Sequence, residues 1–176
     1  MTASVTKIPV GISSCLLGER VRYDGGHRYD PFINQRLADY FEFRPFCPEV
    51  AIGLGIPRAP IQLVKTASGL RVKGADNPEL DVTERLADYG QQVAQNMDDI
   101  CGYIFKARSP SCGTQRVKTW RKDGAPDEPD GIGVYAQAIM HALPDLPVEE
   151  EGRLDDPALC EHFIERVFAF HRSLHR

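Results

Sequence analysis

The sequence predicts one α/β domain, a central and mostly parallel sheet of Rossmann-like type with helices on both faces. Three observations carry this reading. At 176 residues the chain has the length of a single domain and can bury a full core without staples. Short β-branched or aromatic runs are separated by longer segments whose apolar residues recur at helical spacing. Strand and helix alternate in order, as parallel strands joined by crossover helices require.

The elements follow from the residues in turn. Ile8 to Ile12 is a β-branched run, interrupted by Ser13-Ser14-Cys15 and closed at Gly18. A Gly/Asp-rich loop covers Tyr23 to Asp30. Asp30 before Pro31 reads as an N-cap with proline at the first helical position. Phe32, Ile33, Leu37, Tyr40 and Phe41 then predict a helix over Pro31 to Tyr40. Phe41 to Phe46 reads as a strand running into Cys47-Pro48-Glu49-Val50, and Gly53 to Pro60 is too rich in glycine and proline for a regular element. Ile61 to Val64 and Leu70 to Lys73 flank Ala67-Ser68-Gly69 as a hairpin. Asp81 opens a long polar helix to about Ile100, with Leu86, Tyr89, Val93 and Met97 on one face. Gly102 to Lys106 is an apolar strand, and Trp120 to Pro129 reads as a mobile charged loop. Gly131 to Val134 leads into a helix ending at Ala142. Pro147 to Leu154 holds a last strand, and Pro157 to His175 is an amphipathic terminal helix.

Composition excludes several classes. Apolar residues make up 42% and charged residues 26%, and 21 basic against 25 acidic side chains leave a formal charge of −4. Such a balance provides no electrostatic reason to expect nucleic acid or a membrane as partner. No apolar run approaches the ~18 residues of a membrane span. Met1 to Lys7 has no leader-like hydrophobic stretch, so the expected location is the cytoplasm.

The five cysteines, at 15, 47, 101, 112 and 160, carry the chemical signal. In a chain of this kind disulfides are a poor explanation, and metal ligation or catalysis is the better one. Cys15, Cys47 and Cys112 each fall just after a predicted strand. In an open α/β sheet, ligands bind in the crevice beyond the carboxyl ends of the strands. The three thiols would therefore meet in one crevice, against the plainer reading of three unrelated buried cysteines. Cys101 precedes its strand and Cys160 lies inside a helix, so both read as packing residues. Three soft thiolates favour zinc or an iron–sulfur cluster. Structural zinc usually takes four ligands, often as C-x-x-C pairs, and the chain has none. A cubane cluster with three cysteine ligands keeps one iron open as a Lewis acid.

Ser13-Ser14-Cys15-Leu16-Leu17-Gly18, Cys47-Pro48-Glu49-Val50 with Gly53 to Arg58, and Lys106 to Gly113 together resemble the bacterial thiouracil desulfidase family, with Asp81-Val82-Thr83 and Gly131 to Val134 also fitting. The resemblance covers roughly Ile8 to Leu154. It implies a [4Fe-4S] cluster held by Cys15, Cys47 and Cys112, and non-redox removal of sulfur from a thiolated pyrimidine to give uracil and sulfide. It assigns Glu49 as catalytic acid/base and Ser109 to the active site. Such a reaction must deprotonate water and return a proton, and a carboxylate in a dry pocket is suited to both steps. The plainer readings are a loop glutamate and an ordinary turn serine.

Other candidates are Asp24, His27 and Arg28 at the pocket entrance, and Arg58 and Lys65 for a base or an anion. His141, His162, His171 and His175 share no metal-site spacing, and Gly131-x-Gly133 is no dinucleotide fingerprint. Two rival functions stand beside the desulfidase. One is a non-catalytic zinc or iron–sulfur module. The other uses Cys112 as a nucleophile at a helix N-terminus, with His27 as its base. The expected organisation is a desulfidase-like domain over residues 1–156, then a helix over 157–176. That helix resembles the junction to a further helical domain, fused or partner, in longer relatives.

Overall fold

The computed structural model describes residues 6–176, so the reading of Met1 to Lys7 lies almost wholly outside it. Strands β1 (Ile8–Ser13), β2 (Phe41–Phe46), β5 (Tyr103–Phe105) and β7 (Val148–Glu150) form one sheet in the order β2-β1-β5-β7. Every pairing in it is parallel. The expected central sheet is therefore present.

Alternation along the strands divides the core. Ile8, Val10, Ile12 and Ile104 pack on one face with Ile33 of α1 (Pro31–Gln35) and Phe163 and Val167 of α5 (Pro157–Leu174). Tyr103 and Phe105 pack on the other with Val93 of α3 (Thr83–Gln95) and Tyr135 and Ile139 of α4 (Val134–Ala142). Helices thus cover both faces, as expected. Gly11 is part of this fit: a Cβ there would stand 2.6 Å from the Tyr103 ring. No helix among the described residues is long and apolar enough to cross a membrane.

A second, three-stranded sheet was not anticipated. The expected hairpin, β3 (Ile61–Thr66) and β4 (Gly69–Gly74), is antiparallel and joined by β6 (Thr119–Arg121), which runs parallel to β3. The segment read as a mobile loop from Trp120 is therefore anchored at its start. Its partner lies more than fifty residues away, where local sequence carries no sign of it. The Thr119 hydroxyl donates to the Glu128 carbonyl at 2.6 Å, and Lys65 pairs with Asp127 and Asp130.

Two helices are shorter than expected. The predicted Pro31 to Tyr40 helix stops at Gln35 and tightens into a 3-10 turn at Leu37–Asp39. There the Tyr40 N–H donates to the Leu37 carbonyl at 3.0 Å, and the Tyr40 carbonyl accepts the Ile8 N–H at 3.1 Å, so the chain passes from the turn directly into the sheet. Helix α3 ends at Gln95 because the Asn96 side chain donates to the Gln92 carbonyl at 2.7 Å. At the start of α1 the expected cap is present, with Asp30 Oδ1 accepting the Ile33 N–H at 3.1 Å.

Topology then places the site. The chain passes from β1 to β2 on one side, wanders through the second sheet and α3, and returns to β5 on the other side of β1. Such a reversal opens a crevice beyond the carboxyl ends of β1 and β5.

Candidate active site

Three segments enter that crevice. Beyond β1, Cys15 sits in a 3-10 turn, Ser14–Leu17. Beyond β2, Cys47 precedes the four-residue α2 (Pro48–Ala51), with Pro48 starting the turn and Glu49 in its first turn. Beyond β5, the chain turns back through residues 106–113 and delivers Cys112. A cavity of about 360 Å³ is lined by all three cysteines together with Glu49 and Ser109. All five cysteines are free thiols. Cys101 and Cys160 stay in the first core and away from the cavity, as their positions implied.

The Cys112 turn is tied down on several sides. Ser109 Oγ accepts the N–H groups of Ser111 and Cys112 at 3.1 and 3.0 Å. Lys106 N–H donates to Ser13 Oγ at 2.9 Å. Glu151 accepts the Ala107 N–H and pairs with the Lys106 ammonium, both at 2.8 Å, while Glu150 accepts the Thr114 N–H at 2.9 Å. The start of α4 completes the clamp: Gly133, Val134 and Ala136 donate to the carbonyls of Gly113, Pro110 and Ser111.

Burial pushes all three thiols up from their ordinary values, Cys112 most clearly. Specific partners oppose this. The Arg22 and Lys106 charges favour a Cys15 thiolate, and the N–H groups of Val50 and Glu49 favour one at Cys47. Burial also raises the Glu49 carboxyl, against the pull of Arg58, whose Nη2 lies 3.6 Å away. Arg22, Arg28, Arg58, Lys106 and Arg108 line the cavity beside Glu49, and the Arg58 charge also favours a thiolate at Cys47.

The remaining expectations divide. Arg28 and Arg58 line the cavity, but Asp24 and His27 do not. His27 instead uses Nδ1 to accept the Tyr29 N–H at 3.0 Å. Lys65 is engaged with Asp127 and Asp130, outside the cavity. The nucleophile reading loses both its supports. Cys112 lies in a turn rather than at a helix N-terminus, its thiol is raised by burial rather than lowered, and no histidine lines the cavity. Among the described residues no three His, Cys, Asp or Glu side chains are grouped to hold one metal ion. Arg22 had no sequence signal of its own, and Ser13 and Lys106 were marked only as members of the cysteine motifs. Their roles arise from strand ends meeting in space.

A family model described as 2-thiouracil desulfurase matches residues 10–151. The chain belongs to the 2-thiouracil desulfurase family. One solved structure similar to it is a [4Fe-4S]-dependent thiouracil desulfidase, TudS, with 29% sequence identity and a TM-score of 0.63. The match covers 89% of this chain and 99% of that one. A comparison with curated proteins yields no match. For the 2-thiouracil desulfurase family the three separated motifs of the sequence are thus brought to one cavity in this chain.

Proposed function

We propose that the protein is a [4Fe-4S]-dependent desulfidase that replaces the sulfur of a thiolated pyrimidine, such as 2- or 4-thiouracil, by oxygen from water. One observation carries this reading: Cys15, Cys47, Cys112 and Glu49, from three different strand ends, line a single cavity. Uracil and hydrogen sulfide are the products, and no electrons are exchanged.

The donor set suits the cluster. Three unpaired thiols face one cavity beside cationic side chains, and both Arg22 and Arg58 line it with a buried Nε–H that lacks any partner. Buried donors left this way mark where acceptor atoms belong. Cys15, Cys47 and Cys112 would hold the cluster. When bound, it supplies a Lewis-acidic iron that polarises the thiocarbonyl.

The chain's own groups handle the protons. Glu49 takes a proton from the attacking water as the new carbon–oxygen bond forms and returns it to sulfur, and the second water proton follows by the same route as the carbonyl forms and the carbon–sulfur bond breaks. Burial brings its carboxyl closer to neutrality, which suits both transfers. Ser109 already accepts two backbone N–H bonds, so its hydroxyl serves as a donor to water or substrate. Phe46, Pro48, Ile61 and Pro110 form apolar walls that limit competing water. Reliance on free thiols suits a reducing compartment, the cytoplasm. We assign the chemistry to residues 1–156. Helix α5 (Pro157–Leu174) buries Phe163 and Val167 in the same core, and its far end is where a further helical domain would continue.

The test is anaerobic reconstitution followed by assay of 2- and 4-thiouracil. Iron and acid-labile sulfide in equal amounts, with uracil and sulfide formed one to one, are expected. Stoichiometric zinc, or a cluster-loaded protein that leaves both thiouracils unchanged, would overturn the proposal.

A further inference from the structure

Arg58 is buried, with 5% of its side chain exposed, although no proton step requires it. Its guanidinium joins three segments. Nη2 donates to the Val21 carbonyl and Nη1 to the Gly55 carbonyl, each at 2.8 Å. Nη2 also stands 3.6 Å from Glu49 Oε2, and the backbone N–H of Arg58 donates to the Tyr23 carbonyl at 2.8 Å. The Val21 carbonyl in turn accepts the Cys47 thiol at 3.9 Å. Among the described residues, Arg58 is the one cation that pairs with Glu49. Because α2 has only four residues, Glu49 has no long helix to set its direction.

We propose that Arg58 is a positioning residue, holding the Glu49 carboxylate at the cavity and locking the Cys47 turn to the loop after β1. This rests on the reading of Glu49 as the proton carrier. A planar fork is required, since Nη1 and Nη2 of one rigid plane serve two separate carbonyls while Nη2 keeps its charge 3.6 Å from the carboxylate. A lysine ammonium keeps the charge but cannot span all three.

The experiment is a double-mutant cycle on reconstituted enzyme, with Arg58→Lys and Glu49→Gln alone and together. Arg58→Lys is expected to keep its iron and sulfide content and to lower kcat about 10-fold, with KM within about threefold. Added to Glu49→Gln, it should change kcat by less than about threefold, because the group it positions is already gone. A crystal structure of Arg58→Lys should show the Glu49 carboxylate displaced. An unchanged kcat, a loss confined to KM, or an unmoved Glu49 would each overturn the proposal. Losses that multiply would do the same, while leaving Glu49 as proton carrier. A Glu49→Gln enzyme at the wild-type rate would instead sink the reading on which the proposal rests.

Discussion

Gly133→Ala tests the link between the fold and the cysteine site. Gly133 precedes α4 with φ −59° and ψ 135°, a conformation open to any residue, so the change brings no backbone strain. Its effect is steric. A Cβ at Gly133 would stand 2.5 Å from the Ser111 carbonyl carbon, 2.6 Å from its oxygen and 2.7 Å from the Cys112 nitrogen. All three are backbone atoms of the turn that carries Cys112, and none can rotate away. The turn must therefore shift by about 1 Å, straining the Gly133 N–H bond to the Gly113 carbonyl, now 2.7 Å. Overpacking of this kind costs about 1–3 kcal/mol. For a chain of this size that lowers Tm by about 3–9 °C. Displacing one of the three proposed ligands should also reduce the iron retained after anaerobic reconstitution to less than half. Gly152→Ala is the control, since φ −66° and ψ −30° suit alanine and nothing lies within 4 Å. It should leave iron content unchanged and Tm equal or slightly higher. Calorimetry and iron analysis check both. A Gly133→Ala protein with wild-type Tm and full iron would refute the claim that α4 sets the position of Cys112.

Glu49→Gln should keep the visible absorbance of the cluster and slow uracil formation by at least about 10²-fold, the usual contribution of a general acid/base. Iron analysis of five single serine variants should divide them: loss at Cys15, Cys47 and Cys112, full content at Cys101 and Cys160. Ser109→Ala leaves two N–H groups of the Cys112 turn without their acceptor, so chemical denaturation should register a loss of about 1–2 kcal/mol. Partial burial opposes ionisation of Asp81, but hydrogen bonds from Arg71 and Thr83 outweigh it and hold the carboxyl below its ordinary 3.8. The stability it contributes is therefore full above that value and fades as pH falls through the lowered one. Thermal melts of Asp81→Asn should show a lower Tm at neutral pH, with the gap to wild type narrowing in strong acid.

The linear pattern determined the parallel sheet, the helices that cover it and the three thiols at its edge. β1 and β5 announce themselves by apolar runs and β2 by the alternation of Phe41 and Phe43 with Glu42 and Arg44, a period set by the backbone. Once strands are parallel, residues that follow them must share one end of the sheet, so Cys15, Cys47 and Cys112 could be grouped without coordinates. What remained hidden depends on partners distant in the chain. β6 is three residues long, and it becomes a strand only because β3 offers it hydrogen bonds. The Pro31 helix gives way to a 3-10 turn at Leu37–Asp39 where the chain enters the sheet, which no helical propensity records. His27 and Lys65 were plausible by composition, but their side chains are taken up by neighbours outside the cavity. Arg58 drew notice only as the end of a motif and as a candidate for binding a base or an anion. Its burial against Glu49, and the packing of Gly133 on the Cys112 turn, exist only once the loops close on one another, because contact energies depend on distance in space and not on separation in sequence.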